Sequence, residues 1–323
     1  MAIATNTYQS YDAKGLREDL SNAIYRISPE ETPFFSSIGT GPRARAISFD
    51  WQTDELKAAD GSNAVVEGDE FSFEAATPSV RLANICQILR AEALVSGSLE
   101  AVDKAGRASE MAYQMELRSA EIKRDLETIL LSNQAADMGG SNVPRRLAPL
   151  LAFVKTNVDE AADGASPVYT AGVPGDVRTD GMQRPFTEAL LKNVLQSMFT
   201  EGGRARVLMV GPFNKQQVSG FSGEVTRNFD QSNVAPSPTA IIASADVYVG
   251  DFDTVRVIPN RFQRPRDAHV LDWRWLAMRW LRPFFTKRVP ETGDAMKRVI
   301  IGEGSLEVKQ EKGLGLIADL TTA

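Results

Sequence analysis

The sequence predicts an α+β fold, with helices and strands in separate stretches of the chain. Three observations predict it. Leu99 to Asn133 contains no proline, and Val102, Met111, Met115, Ile122, Leu126, Ile129 and Leu130 recur in it at three- and four-residue steps. Residues 43–96 and the last sixty residues instead alternate with period two. Between them, residues 187–262 read as helix, strand, helix and hairpin, a compact subdomain.

A helix over all of Leu99–Asn133 would be roughly 50 Å long. Glu116, Glu121, Lys123, Arg124 and Glu127 fill its polar side. These charges exclude a membrane span, and no heptad or repeat persists, so the expectation is a single strut through an extended subunit. Upstream, Leu16, Leu20, Ala23, Ile24 and Ile27 predict a short helix stopped by Pro29. The following TPFFSSIGTGP sets Phe34 and Phe35 among prolines and glycines, where a segment so short cannot bury two aromatic rings by itself.

Ile47, Phe49 and Trp51 alternate with polar or small residues as a half-buried strand, and VRLANICQILRAEALV (80–95) reads as a second strand-like run. The intervening 57–78 is rich in Gly, Asp and Ala and carries Phe71 and Phe73, so the pair predicts either a projecting hairpin or a sheet edge with a long tip. Leu147–Val154 predicts a brief apolar element, and 159–184 a linker-like loop and domain boundary. Thr187 precedes a helix carrying Leu190, Leu191, Val194, Leu195 and Met198, stopped at Gly202-Gly203. VLMVG (207–211) reads as a buried strand, Pro212 opens another helix, and Gly250–Asp253 is a hairpin signal. HVLDW, RWLAMRW, MKRVIIGEG and SLEVKQE read as further strands.

Composition narrows the function classes. The chain of 323 residues has 43% hydrophobic and 24% charged residues and a net charge of −6, ordinary for a globular protein and unlike a nucleic-acid coat. One cysteine, Cys86, rules out an intrachain disulfide framework. No signal peptide or long apolar run points to secretion or a membrane. His269 is the only histidine, which closes His-based triads and zinc sites, and its strand-like setting reads as structural. Gly313-Leu-Gly315-Leu-Ile-Ala318 matches a dinucleotide fingerprint in form but lacks a following helix to hold the phosphates. Asp251 and Asp253 are too few to hold a cation and read as turn residues. The sequence thus offers no catalytic residue, cofactor site or metal site. Carboxylate-based hydrolysis has only a generic warrant.

Arg261–Arg288 concentrates eight basic residues with Trp273, Trp275 and Trp280. Basic groups beside aromatic faces could make a single-strand nucleic-acid groove. The competing reading is a covered sheet with tryptophans in the core and arginines on carboxylates. Nucleic-acid binding through 261–288 is the alternative function.

The stretches EDLSNAIYRISPEETPFFSSIG (18–39), FDWQTDEL (49–56), VSGSLEAVDKAGRASEMAYQ (95–114), LMVGPFNKQQVSGF (208–221) and DFDTVRVIPNRFQRPRDAHVLD (251–272) resemble a group of tailed-bacteriophage major capsid proteins. The order of parts resembles the Hong Kong 97-type capsid fold. That resemblance implies an N-terminal arm (1–42), an extended loop (43–95), a peripheral domain (96–186 and 263–323) with the spine helix at about 99–133, and an axial domain (187–262). It implies a non-enzymatic shell subunit found in the virion and assembled in the host cytoplasm. The implied partners are copies of itself in pentamers and hexamers, scaffold, portal and decoration proteins, and packaged double-stranded DNA bound without sequence specificity, with no membrane. The chain begins directly with the arm, which implies a separate scaffold or a processed subunit. Phe34, Phe35, Trp51, Phe71 and Phe73 are the expected inter-subunit contacts, buried by other copies.

Overall fold

The computed structural model describes residues 31–70, 73, 75–104, 106–170, 172–221 and 246–322. The helix expected around Leu16–Ile27, and Phe71, lie outside these residues. In chain order the elements are α1 (Pro33–Ser37), β1 (Gly39–Thr40), β2 (Ser48–Thr53), β3 (Val80–Ile85), β4 (Gln87–Ser96), α2 (Gly97–Ala101), α3 (Glu110–Leu130), α4 (Leu150–Phe153) and β5 (Val158–Asp159). There follow β6 (Tyr169–Thr170), β7 (Val173–Pro174), α5 (Glu188–Thr200), β8 (Val207–Val210), α6 (Pro212–Ser219), β9 (Val247–Val249) and β10 (Thr254–Pro259). The last are β11 (Ala268–Leu271), β12 (Leu276–Val289), β13 (Ala295–Val308) and β14 (Gly315–Ile317).

The strut is shorter than its apolar stripe. The expected single helix divides into α2 and α3, and α3 has 21 residues, about 32 Å. Two local devices make the break. Lys104 Nζ donates to the carbonyls of Leu99, Glu100 and Val102, which closes the end of α2. Gly106 then takes φ 77°, a left-handed turn that favours glycine. The Glu100 carboxylate accepts from Ser109 Oγ and from the amides of Glu110 and Met111. Ser109 Oγ accepts from the amide of Ala112, so α3 starts on a doubly capped turn.

The long sheet has the order β1-β12-β13-β4. The two sequence segments MKRVIIGEG and SLEVKQE fuse into β13, which pairs antiparallel with both β12 and β4. Register shifts in β12 bracket Arg282, the second reaching to Phe285 across Pro283. Pro283 has no N–H for the ladder, so a bulge is where a strand can hold it. The α3 side of the sheet buries Ala93 and Val95 against Met111.

The run 80–95 is two strands in two sheets. β3 pairs with β2, Ser48 opposite Ile85 and Thr53 opposite Val80, whereas β4 belongs to the long sheet. Asn84 fixes the crossover. Its buried amide donates to the carbonyls of Ala148 and Leu306 and accepts from the amides of Ile85 and Ala148. Every position of that side chain is used, so the low-dielectric site stabilises one geometry. Beside it, the carbonyl of Gly172 accepts from the amide of Ala83. Gly172 has φ 82°, and a Cβ there would collide with the carbonyl of Arg81. Gly172→Ala is expected to lower stability by at least about 1–2 kcal/mol, checked by urea unfolding.

The second sheet has the order β5-β14-β11-β8-β10-β9. The subdomain expected at 187–262 is therefore incomplete as drawn from the sequence. Its sheet takes β11 and β14 from the 263–323 segment, and β5 from the stretch upstream. The physical reason is burial: β8 is covered on both faces and needs a neighbour on each edge. The 159–184 loop is tied in too, through the Arg184–Leu320 bridge. A separate core of Leu191, Val194, Leu195, Met198, Val255 and Ile317 lies between this sheet and α5. The GLGLIADL segment supplies β14, with no helix after it.

Candidate assembly surfaces

The resemblance implies contacts with other copies for five aromatic residues; four of them lie among the described residues, in unlike settings. Phe34 is fully buried by its own chain. Its ring lies 5.9 Å from that of Trp273, and α1 rests on α3. The backbone amides of Phe34 and Phe35 donate to Glu127 Oε1 and Oε2, at 2.8 and 2.7 Å. Asn260 Nδ2 donates to Oε1 at 2.6 Å. Glu127 is thus a buried carboxylate held by three neutral donors, joining the start of α1, α3 and the turn after β10. Burial raises its pKa, and the hydrogen bonds from Phe35, Phe34 and Asn260 oppose that rise. Phe35 is half-buried, edge-on to Trp280 at 6.3 Å.

Trp51 is also covered by its own chain, between Phe49 at 5.6 Å and Phe153 at 5.7 Å. Phe34 and Trp51 therefore need no second copy for cover. A two-stranded hairpin seated on α4 already offers a core that the sequence pattern alone did not reveal. Phe73 differs: it is 94% exposed.

Phe73 belongs to the 54–79 loop that joins β2 to β3. Leu56, Val65 and Val66 in that loop are exposed as well. The loop carries seven carboxylates against one lysine, Lys57. Its root is anchored by Lys312, whose Nζ lies 2.7 Å from both Glu55 Oε2 and Glu201 Oε2. This three-membered bridge ties the loop to the end of α5. Lys312→Ala is expected to cost no more than about 1 kcal/mol of global stability, because Glu55 is half exposed. It is expected to speed proteolysis within 54–79 several-fold, read by mass spectrometry of the first cleavage products.

The basic 261–288 segment makes internal pairs. Arg279 binds Glu307, Arg282 binds Glu303, and Arg274 binds Asp272. Arg264 and Arg266 share Asp180, and Arg266 also reaches Asp319. Trp273, Trp275 and Trp280 pack against the main core. The single-strand groove is therefore not what this segment forms, and the covered-sheet reading describes it.

His269 lies in β11 and is buried, more completely than the sequence suggested. Burial, then the nearby charges of Arg264 and Arg178, hold its pKa down at about 3, so the imidazole is neutral. Asp253 is a turn residue that accepts from the amide of Ala205 at 3.1 Å. Among the described residues no group of three His, Cys, Asp or Glu side chains is placed to hold a metal ion. No helix among them is long and apolar enough to cross a membrane. Sequence reasoning missed Glu127 and Lys312: one is an acid among many on a helix, the other a lone lysine beside a glycine. Neither pattern carries a signal.

Known proteins give this geometry a context. A family model described as SU10 major capsid protein matches residues 3–321. The major capsid protein of Escherichia phage Phieco32 is 30% identical over 313 residues, covering 84% of this chain and 86% of that protein. The capsid asymmetric unit of cyanophage A-1(L) has a similar fold, with a TM-score of 0.65 at 12% identity over 97% of this chain and 98% of that one. A Gordonia phage Cozz structure gives a TM-score of 0.59 at 10% identity, over 99% and 98% of the two chains. The long sheet backed by α3, the hairpin and the second sheet are thus the parts of a Hong Kong 97-type capsid fold, and the chain belongs to the SU10 major capsid protein family, the shell-forming subunits of phage heads.

Proposed function

We propose that this subunit builds the icosahedral head of a tailed phage around double-stranded DNA, meeting its sisters as pentamers and hexamers. Scaffold, portal and decoration proteins are its further partners, and assembly takes place in the host cytoplasm. The role is structural and not enzymatic. Residues 1–42 serve as the arm and 43–95 as the extended loop. The second sheet, with its β5, β11 and β14 contributions, serves as the axial domain. Phe35, half-buried, and Phe73, exposed, are the proposed inter-subunit contacts, and Phe71 is grouped with Phe73 on sequence alone.

The observation that carries this reading is the 54–79 loop. A subunit that packs its own cores leaves Phe73, Leu56, Val65 and Val66 uncovered in one loop. Exposed apolar residues gathered in one place mark an interaction surface. Many such modest contacts, repeated around a closed shell, sum to a stable particle. Negative-stain microscopy of the purified full chain, alone and with candidate scaffolds, tests it. Closed shells are expected, and a protein that stays monomeric under every such condition would overturn the proposal. Phe73→Ser is expected to leave the unfolding midpoint of the subunit unchanged while lowering particle yield at least about tenfold.

A further inference from the structure

Aspartate followed by glycine is a chemically fragile step, because a glycine carries no Cβ to keep its backbone nitrogen away from the neighbouring carboxyl carbon. The sequence holds three such steps, Asp60-Gly61, Asp163-Gly164 and Asp180-Gly181. The fold ties down two of them. The Gly164 amide donates to the carbonyl of Ala161 at 2.9 Å, and both oxygens of Asp163 accept from the amide of Met182. The Gly181 amide donates to Asp319 Oδ1 at 2.8 Å, and Asp180 is paired with Arg264 and Arg266. Both turns are also tightly packed: a Cβ would meet its nearest neighbour at 2.8 Å on Gly164 and at 2.7 Å on Gly181.

Asp60-Gly61 differs on each count. Both residues are exposed in the 54–79 loop, and a Cβ on Gly61 would meet nothing within 4 Å. Among the described residues the Gly61 amide has no hydrogen-bond acceptor. The Ser62 amide and Oγ both donate to Asp60 Oδ1, at 2.8 and 2.6 Å, which closes a turn around Gly61. The carboxyl is thereby folded back towards the free nitrogen that can attack it.

We infer that Asp60-Gly61 is a site of spontaneous isomerisation to isoaspartate. The Gly61 nitrogen bonds to Cγ of the neutral Asp60 acid, and its proton and the acid's hydroxyl leave together as water. The cyclic succinimide so formed takes water back in one of two ways. Addition at Cγ breaks the new bond and restores aspartate. Addition at the main-chain carbonyl of Asp60 breaks the original peptide bond and leaves the chain linked through Cγ. No oxidant or other co-reactant is consumed, and mass and charge end unchanged. The main chain gains one atom between β2 and β3, so the loop follows a different path.

Ageing of the full chain as unassembled subunits, in mildly acidic buffer made with heavy-oxygen water, provides the test. Peptide mapping by electron-transfer fragmentation locates isoaspartate, and the label marks each opening of the ring. Isoaspartate at residue 60 is expected to exceed that at residues 163 and 180 by at least about tenfold, because a tethered amide cannot reach the attacking geometry. In urea, where all three steps are released, that difference is expected to vanish. Gly61→Val, whose side chain has open space, is expected to keep the unfolding midpoint and to lower the yield at residue 60 at least about tenfold. Equal accumulation at the three steps in the folded chain, an undiminished preference for residue 60 in urea, or undiminished isoaspartate in Gly61→Val would overturn the inference. So would a residue 60 that takes up no label. None of these results depends on whether the chain forms shells.

Discussion

Glu127→Ala is expected to destabilise the subunit by about 3 kcal/mol or more, measured by urea unfolding of the unassembled protein. The cost comes from what the carboxylate leaves behind. The amides of Phe34 and Phe35 and the Asn260 side chain would keep their donors but lose the acceptor, in a site closed to water. α1 has five residues and no side-chain cap of its own, so Glu127 is its N-terminal cap, delivered from 92 residues away in sequence. Loss of the cap should free the segment before β1. Glu127→Gln keeps one acceptor oxygen but turns an NH2 towards an N–H donor, and a loss between about 1 and 3 kcal/mol is expected. The pH dependence has a definite sign. Burial raises the folded-state pKa above the ordinary carboxylate value, so the folded chain holds this proton more tightly than the unfolded chain. The contribution of Glu127 to stability is complete below its unfolded pKa and falls as pH rises through the folded one. The Gln variant should lose that component of the pH profile.

Trp51→Ala is expected to cost about 3–5 kcal/mol in the same measurement, in sharp contrast with Phe73→Ser. Trp51 holds the β2–β3 hairpin to α4 through Phe49 and Phe153. Its removal leaves a cavity under the root of the 54–79 loop. Assembly should fail as well, but as a consequence of misplacing the loop. Equal unfolding midpoints for Trp51→Ala and the wild type would contradict the packing described.

Much of the architecture was legible in the sequence because period and punctuation are local properties. α5, β8, α6 and the β9–β10 hairpin lie where Thr187, the VLMVG run, Pro212 and Gly250–Asp253 place them. The errors have physical causes of their own. The stripe from Val102 to Leu130 continues through a break because the turn at Gly106 is closed by Lys104 and Glu100, whose reach along the chain no hydrophobic period records. The run 80–95 reads as one strand because Asn84, which pins the crossover, finds its partners at Ala148 and Leu306. Partner choice across such distances is invisible to alternation. The membership of β5, β11 and β14 in one sheet was hidden for the same reason. Of the five aromatic contacts, the rule that a short segment cannot bury its own rings was sound. It left open which surface would take them, and for Phe34 and Trp51 that surface is the same chain.

The make-up of the six-stranded sheet bears on the order of events during synthesis. β14 stands between β5 and β11 and joins segments more than a hundred residues apart. Until residues 315–320 have left the ribosome, β5 has no neighbour and β11 lacks one of its two. Such distant pairings are slow to form. A nascent chain therefore carries open strand edges until β14 has been made, and the second sheet can close only after that.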